Sequence, residues 1–264
     1  MGFKAGIRYL PGRHSREGPP ACAFIIINIL PKADKRYNKE KRFRRFLHMD
    51  GQSCREQVVS IARKMAERQM VNTNEGNVSV CEGGRVYITP SQVNKESLTP
   101  DMIVVTDLQG NQLEGHLKAS SETRLHLEVY RLRPDVHAVV HDHSPFATAF
   151  AIARLPIATQ AYTEMIFLYD RIPVVAYGTP GTAKITAGLD RYIHQTDIFL
   201  LANHGVVAIG PDVVTAYQRA EAVESMAKTL AIARLLGGEH PIEPEGLAEL
   251  YQMRQDLLGK GRIE

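Results

Sequence analysis

The stretch "HAVVHDHSPFATA" (residues 137–149) changes character half-way along. HAVVHDH reads as a strand built around a β-branched pair. Ser144-Pro145 then opens a helix, because proline is tolerated in the first turn, where its missing N–H costs nothing. A strand that passes directly into a helix points to an α/β chain. The same stretch places three histidines within seven residues. In a strand, residues i and i+2 point to one side with Cα atoms ~6.6 Å apart, so His141 and His143 can converge on one ion. His137 has the same parity but lies roughly 20 Å from His143 along an extended strand. All three share a metal only if the strand bends, so His137 reads as a structural or surface histidine. Asp142 points to the opposite face and reads as a fold or surface carboxylate.

A third histidine comes from "LLANHGVVAIG" (200–210), where Asn203-His204-Gly205 interrupts two apolar runs. A polar residue set between buried runs costs free energy unless it is satisfied. Gly205 permits a sharp bend or a close backbone approach. With His204 the set becomes three histidines with an open fourth position, the arrangement of a catalytic rather than a structural ion. His116 and His126 are left outside this set. His14, His48, His194 and His240 read as surface residues.

The rest of the body alternates strands and helices. "SCREQVVSIARKMAERQMV" (53–71) has helical periodicity and opens with Ser53 and Glu56 as an S-x-x-E capping box. "NVSVCEGGRVYIT" and "MIVVTDLQGNQLEG" each read as a hairpin around a glycine turn. "SSETRLHLEVYRLRP" reads as a helix capped by Ser120 or Ser121 and ended before Pro134. "IPVVAYG" and "DIFLLANHGVVAIG" supply strands. A long helix runs from Pro211-Asp212 to Gly237-Gly238, and a last one covers about 244–258. Residues 49–264 are therefore expected to form one α/β domain with a central mixed, largely antiparallel sheet flanked by helices.

The chain has 264 residues, with three cysteines and no CxxC spacing, so neither a disulfide framework nor a cysteine zinc site is expected. A reducing, cytoplasmic setting fits that usage. Residues 1–48 carry 12 Lys and Arg against 3 Asp and Glu, whereas the remainder carries 20 against 26. The basic excess belongs to the first segment, and the body has no charge pattern for nucleic acid. "ACAFIIINIL" is too short to span a bilayer, which needs ~20 residues. Residues 1–48 read as a basic N-terminal extension, disordered or preceding a true start near Met49.

"GNVSV" (76–80), "ITPS" (88–91), "SSETRLH" (120–126), "HAVVHDHSPFATA" and "LLANHG" (200–205) occur in the order typical of the class II aldolase/adducin family, which the chain resembles over about residues 53–240. The resemblance implies a metal, usually Zn2+, on His141, His143 and His204, the set that strand geometry selected. It implies that Glu122 moves the substrate proton; read alone, Glu122 is an acid at a helix N-terminus, where it favours the dipole. It implies a substrate phosphate held by Asn77, Ser91, Ser120 and Ser121, short donors beside a helix N-terminus. The best-known enzyme of the family has glycine where this chain has Gln92, which adds a donor or crowds the phosphate. The family's tyrosine proton donor comes from a neighbouring subunit. Tyr162 is its nearest counterpart here, with Glu164 and Tyr169 as rivals.

The activity so implied is metal-assisted cleavage of a phosphorylated ketose to dihydroxyacetone phosphate and an aldehyde through an enediolate, by a homotetramer with intersubunit sites. Glu122 is then expected to titrate near the working pH. The same chemistry serves ribulose-phosphate 4-epimerases, methylthioribulose-phosphate dehydratases and sugar-acid phosphate decarboxylases. A non-catalytic, adducin-like interaction module needs no ligands, and the retained His141, His143, His204 and Glu122 argue against it.

Overall fold

The computed structural model describes residues 50–259. The expected N-terminal extension, 1–48, lies outside the described residues. The chain begins with helix α1 (Gly51–Glu67), then hairpin β1 (Asn77–Glu82) and β2 (Arg85–Ile88), and hairpin β3 (Val104–Asp107) and β4 (Gln112–Glu114). Helix α2 (Thr123–Leu132), strand β5 (Ala138–Asp142) and helix α3 (Pro145–Ala153) follow. Short strands β6 (Ile157–Ala158), β7 (Arg171–Ile172) and β8 (Val174–Val175) lead to hairpin β9 (Ile198–Leu201) and β10 (Gly205–Gly210). Helices α4 (Val213–Leu235) and α5 (Pro244–Gly259) close the chain.

Eight strands form one sheet in the order β4-β3-β2-β1-β5-β10-β9-β8, and β6 pairs with β7 separately. Only β8 and β9 run parallel; the other pairings are antiparallel. This is the mixed, largely antiparallel sheet that the hairpin pattern predicts. Strand β5 sits between β1 and β10 and is buried along its whole length.

The two-residue period of the strands divides the core. Val78, Val80, Ala138, Val140, Val206 and Ala208 pack on the face covered by α1, α3 and α4. Val139, Val207, Ile209 and Phe199 pack on the other face, against Leu125, Val129 and Tyr130 of α2 and against Ile185 and Ile193. The register pairs Asn77 with His141 and Ser79 with Val139. Parity therefore puts Asn77, Ser79 and His141 on the α2 side, inside an apolar layer. That layer becomes the floor of the site.

Two helix starts differ from the sequence reading. Ser53 and Glu56 do not form a capping box: α1 begins earlier, and Asp50 caps it by accepting from the Ser53 N–H at 2.8 Å. The Ser53 N–H that a capping box would give to Glu56 goes to Asp50 instead, and the Glu56 carboxylate accepts from Gln52 Nε2. Nor do Ser120 and Ser121 cap α2, whose N-cap is Glu122. Ser120 acts through its backbone carbonyl, which accepts from both the N–H and the hydroxyl of Thr123. Helix α3 starts at Ser144-Pro145 as expected, and its first free N–H groups go to Glu224 of α4.

Gly205 has no room for a side chain. A Cβ there would lie 2.3 Å from the Asp142 carbonyl oxygen and 2.7 Å from the His143 ring. Gly205→Ala must push β10 off β5, and strain of this kind costs about 1–3 kcal/mol. Urea denaturation should show a lowered midpoint for this variant; an unshifted midpoint would show that the close approach is dispensable.

Candidate active site

His141 is the last inward position but one of β5, and its ring is fully buried. His143 follows the end of the strand, held by its backbone N–H to the Met70 carbonyl at 3.1 Å. His204 sits in the three-residue turn joining β9 to β10, after Asn203 at φ +59°. Asparagine tolerates that left-handed conformation better than most residues. Glu122 arrives from the start of α2, and as N-cap its side chain makes no capping bond, which leaves the carboxylate to face the rings.

These four meet. One ligand atom from each of Glu122, His141, His143 and His204 lies within 4.8 Å of the others. The ring centroids are 4.7–4.9 Å apart. His141 Nε2 lies 3.1 Å from both His143 Nε2 and Glu122 Oε2, and His204 Nε2 lies 3.2 Å from Glu122 Oε1. His137 stands apart, exposed, with Nδ1 3.1 Å from the Cys81 carbonyl. Asp142 is a fold carboxylate: it is buried, accepts from the Ser144 N–H, and burial pushes its pKa up to about 6.

The donor set fits a divalent cation. His141 donates Nδ1–H to the Val206 carbonyl at 2.7 Å, and His143 Nδ1 faces Glu75 Oε2 at 3.4 Å. Outer partners of this type fix the tautomer and leave Nε2 with a lone pair for a metal. Two such lone pairs 3.1 Å apart repel unless a cation lies between them. The spacing is close to the ~3.3 Å edge between two nitrogens each at ~2.0–2.1 Å from a tetrahedral ion. Glu122 Oε1 and His204 Nδ1 are buried without a hydrogen bond, so polar atoms stand ready at the cluster. Burial, with His141 beside it, pushes His204 down to about 4, and the same causes lower His143. Both rings are then neutral at pH 7, the form that binds metal.

Burial raises the Glu122 pKa, but His141, His204 and the Asn77 N–H together outweigh burial and lower it, favouring the carboxylate form. Glu122 in turn raises His141 against the effect of burial.

The proposed phosphate residues lie alongside. An isolated bridge pairs Pro90 with Ala119, the Ser91 N–H donates to the Lys118 carbonyl, and the Ser120 N–H donates to the Thr89 carbonyl. The I-T-P-S turn and the S-S-E segment are thus stitched edge to edge. Ser121 is exposed, Ser91 half-buried and Ser120 buried. Gln92 sits at φ +56°, a conformation glycine adopts without strain, which explains why a glycine suits this turn. Asn77 is more committed than expected: it donates Nδ2–H to Glu122 Oε2 at 2.8 Å, and its Oδ1 faces His126 Nε2.

Tyr162 is half-buried and packs against the main core cluster. Glu164 is exposed. Tyr169 lines a cavity of about 590 Å³ with Arg171, Arg219, Arg254 and Ile198, where β9 begins; His204 follows its other end.

Sequence reasoning missed two residues. Glu75 backs His143 from the loop before β1. His126, left outside the site, is fully buried behind Asn77. The available signal was the spacing of Glu122, His126 and Tyr130, each four apart on one helix face.

Comparison with known proteins agrees with this geometry. Residues 56–231 match the family described as the class II aldolase and adducin N-terminal domain. An L-fuculose phosphate aldolase of Methanocaldococcus jannaschii is 36% identical over 182 residues, 69% of this chain and 97% of the relative. A 5-deoxy-D-ribulose 1-phosphate aldolase of Bacillus thuringiensis is 31% identical over 213 residues, 80% and 98% respectively. A solved L-fuculose 1-phosphate aldolase superposes with a TM-score of 0.71 at 26% identity, over 81% of this chain and 99% of that one. The chain belongs to the class II aldolase and adducin family. It is an enzyme of the class II aldolase type, a lyase.

The convergence makes a direct prediction about metal. Elemental analysis of the purified protein should find about one divalent ion per chain, lost in His143→Ala and kept in His137→Ala. Metal retained in both variants would dismantle the three-histidine set.

Proposed function

We propose that the protein cleaves a ketose 1-phosphate to dihydroxyacetone phosphate and an aldehyde. The observation that carries this reading is the meeting of three imidazole Nε2 atoms and one ionised carboxylate at a single point, beside two stitched serine turns. Its relatives include an L-fuculose phosphate aldolase and a 5-deoxy-D-ribulose 1-phosphate aldolase, which agrees with it.

His141, His143 and His204 hold the metal, for which zinc is the first choice. Bound there, a divalent ion supplies Lewis-acid stabilisation of the negative charge that develops on the ketose oxygens, worth several kcal/mol of barrier. Ser91, Ser120, Ser121 and the spare N–H of Asn77 bind the phosphate and set the carbon chain in register. Ser91 is half-buried and Ser121 exposed, so their hydroxyls are open to a ligand. Glu122 delivers a proton to the carbon released by bond cleavage and is left as the carboxylate, the form its neighbours favour; the proton lost from the oxygen that becomes the aldehyde balances the one gained at carbon. Tyr162 exchanges the proton of the oxygen that becomes the aldehyde, acting across a subunit boundary of a homotetramer. A sugar phosphate needs no membrane or nucleic acid partner, and the enzyme is assigned to the cytoplasm. No helix among the described residues is long and apolar enough to cross a membrane.

The deciding experiment incubates the metal-loaded enzyme with a panel of ketose 1-phosphates and 5-phosphates. Aldehyde and dihydroxyacetone phosphate are scored separately from epimerisation, dehydration and loss of CO₂. Equimolar aldehyde and dihydroxyacetone phosphate from a ketose 1-phosphate is the expected result; epimerisation alone would displace the aldolase reading. Glu122→Gln should lower kcat by about 10²–10⁴, the usual contribution of a positioned acid or base.

A further inference from the structure

From Glu122 a buried line of polar side chains runs back between helix α2 and strand β1. Glu122, His126 and Tyr130 lie four residues apart on α2, a rise of ~6.0 Å per step. Asn77 and Ser79 lie two apart on β1, a rise of ~6.6 Å. The two periods match, so the helix and strand side chains interleave. Ser79 Oγ lies 2.6 Å from His126 Nδ1 and 2.6 Å from the Tyr130 hydroxyl. His126 Nε2 meets Asn77 Oδ1, and Asn77 Nδ2–H donates to Glu122 Oε2. All five residues are buried.

Only one arrangement of hydrogens satisfies this line. Asn77 turns its NH₂ to Glu122 Oε2 and its oxygen to His126 Nε2. That oxygen accepts only, so His126 carries its hydrogen on Nε2. Burial pushes the His126 pKa down to about 3, so the ring is neutral and Nδ1 is an acceptor. Ser79 then donates to Nδ1 and accepts from Tyr130, which burial keeps protonated. Every donor in the line points towards Glu122.

We propose that His126 is a positioning residue: its neutral Nε2–H tautomer locks the Asn77 amide so that Nδ2–H faces the Glu122 carboxylate and holds it towards the substrate. The proposal rests on the reading of Glu122 as the group that moves the substrate proton. Without the imidazole donor, the buried Asn77 Oδ1 loses its partner, a cost that is relieved only if the amide shifts away from the line that holds Nδ2–H on the Glu122 carboxylate.

The test compares His126→Phe, which fills the space without a donor, with His126→Gln, which keeps one donor and one acceptor. Both are loaded with metal and assayed on the best ketose 1-phosphate of the panel. His126→Phe should lose about 10–100-fold in kcat, the range for residues that orient a metal-site group, with KM and bound metal unchanged. His126→Gln should recover most of it. Equal rates in the two variants, or a loss that tracks lost metal, would mean that His126 only fills space and would overturn the proposal. Glu122→Gln run alongside separates the two readings. If it turns over at full rate, the role of Glu122 fails; if it is slow while His126→Phe is fast, only the role of His126 fails. Nitrogen-15 NMR of the unmutated protein checks the tautomer without any variant. A hydrogen on Nε2 is expected, and a hydrogen on Nδ1 or a doubly protonated ring contradicts it.

Discussion

One hydrogen bond lets the centre of the sheet exist as it does: His141 Nδ1–H to the Val206 carbonyl at 2.7 Å. Strand β5 is buried end to end between β1 and β10, so an imidazole on it has no water to fall back on. A buried polar group without a partner costs about 1–3 kcal/mol. The bond to β10 removes that cost on one nitrogen and aims the other, with its lone pair, at His143, His204 and Glu122. The tight seat of Gly205 against Asp142 and His143 serves the same end. It draws the β9–β10 turn close enough for His204 to reach the end of β5. The fold therefore gathers the three histidines by satisfying one nitrogen of a buried ring and leaving the other unsatisfied.

The second layer depends on a coincidence of dimensions. One helical step of four residues and one strand step of two rise by nearly the same distance. A helix packed along a strand can thus interleave polar side chains for several residues without strain. Here the interleaving runs from the Tyr130 hydroxyl to the Glu122 carboxylate. It explains why Glu122, an N-cap residue, does not cap its own helix. Asn77 and the imidazoles offer the carboxylate stronger partners than a backbone N–H in the first turn, and the helix start is satisfied instead by Ser120.

Much of the site was legible because short-range geometry carries it. The i, i+2 spacing of His141 and His143 places them together on any strand, and the break in an apolar run marks His204 as a residue with a task. The hairpins were legible from their glycine turns. The capping of α1 was not, since Asp50 lay just outside the periodic segment and Ser53 with Glu56 matched a local pattern equally well. His126 was not, because a histidine on an amphipathic helix looks the same whether it meets solvent or the back of a catalytic carboxylate. Glu75 lies in an irregular loop with no period to place it.

By itself the sequence determined the α/β class, the largely antiparallel sheet and the identity of the three converging histidines, since these follow from periodicity and steric rules that act over a few residues. Only the tertiary structure decided that Asn77 serves Glu122 and His126, and that the neighbours of Glu122 favour its carboxylate form. Those outcomes depend on which strand pairs with which and on what each charge meets across the core. Contacts of that kind join residues 45 or 49 positions apart, and no local pattern in the chain encodes them.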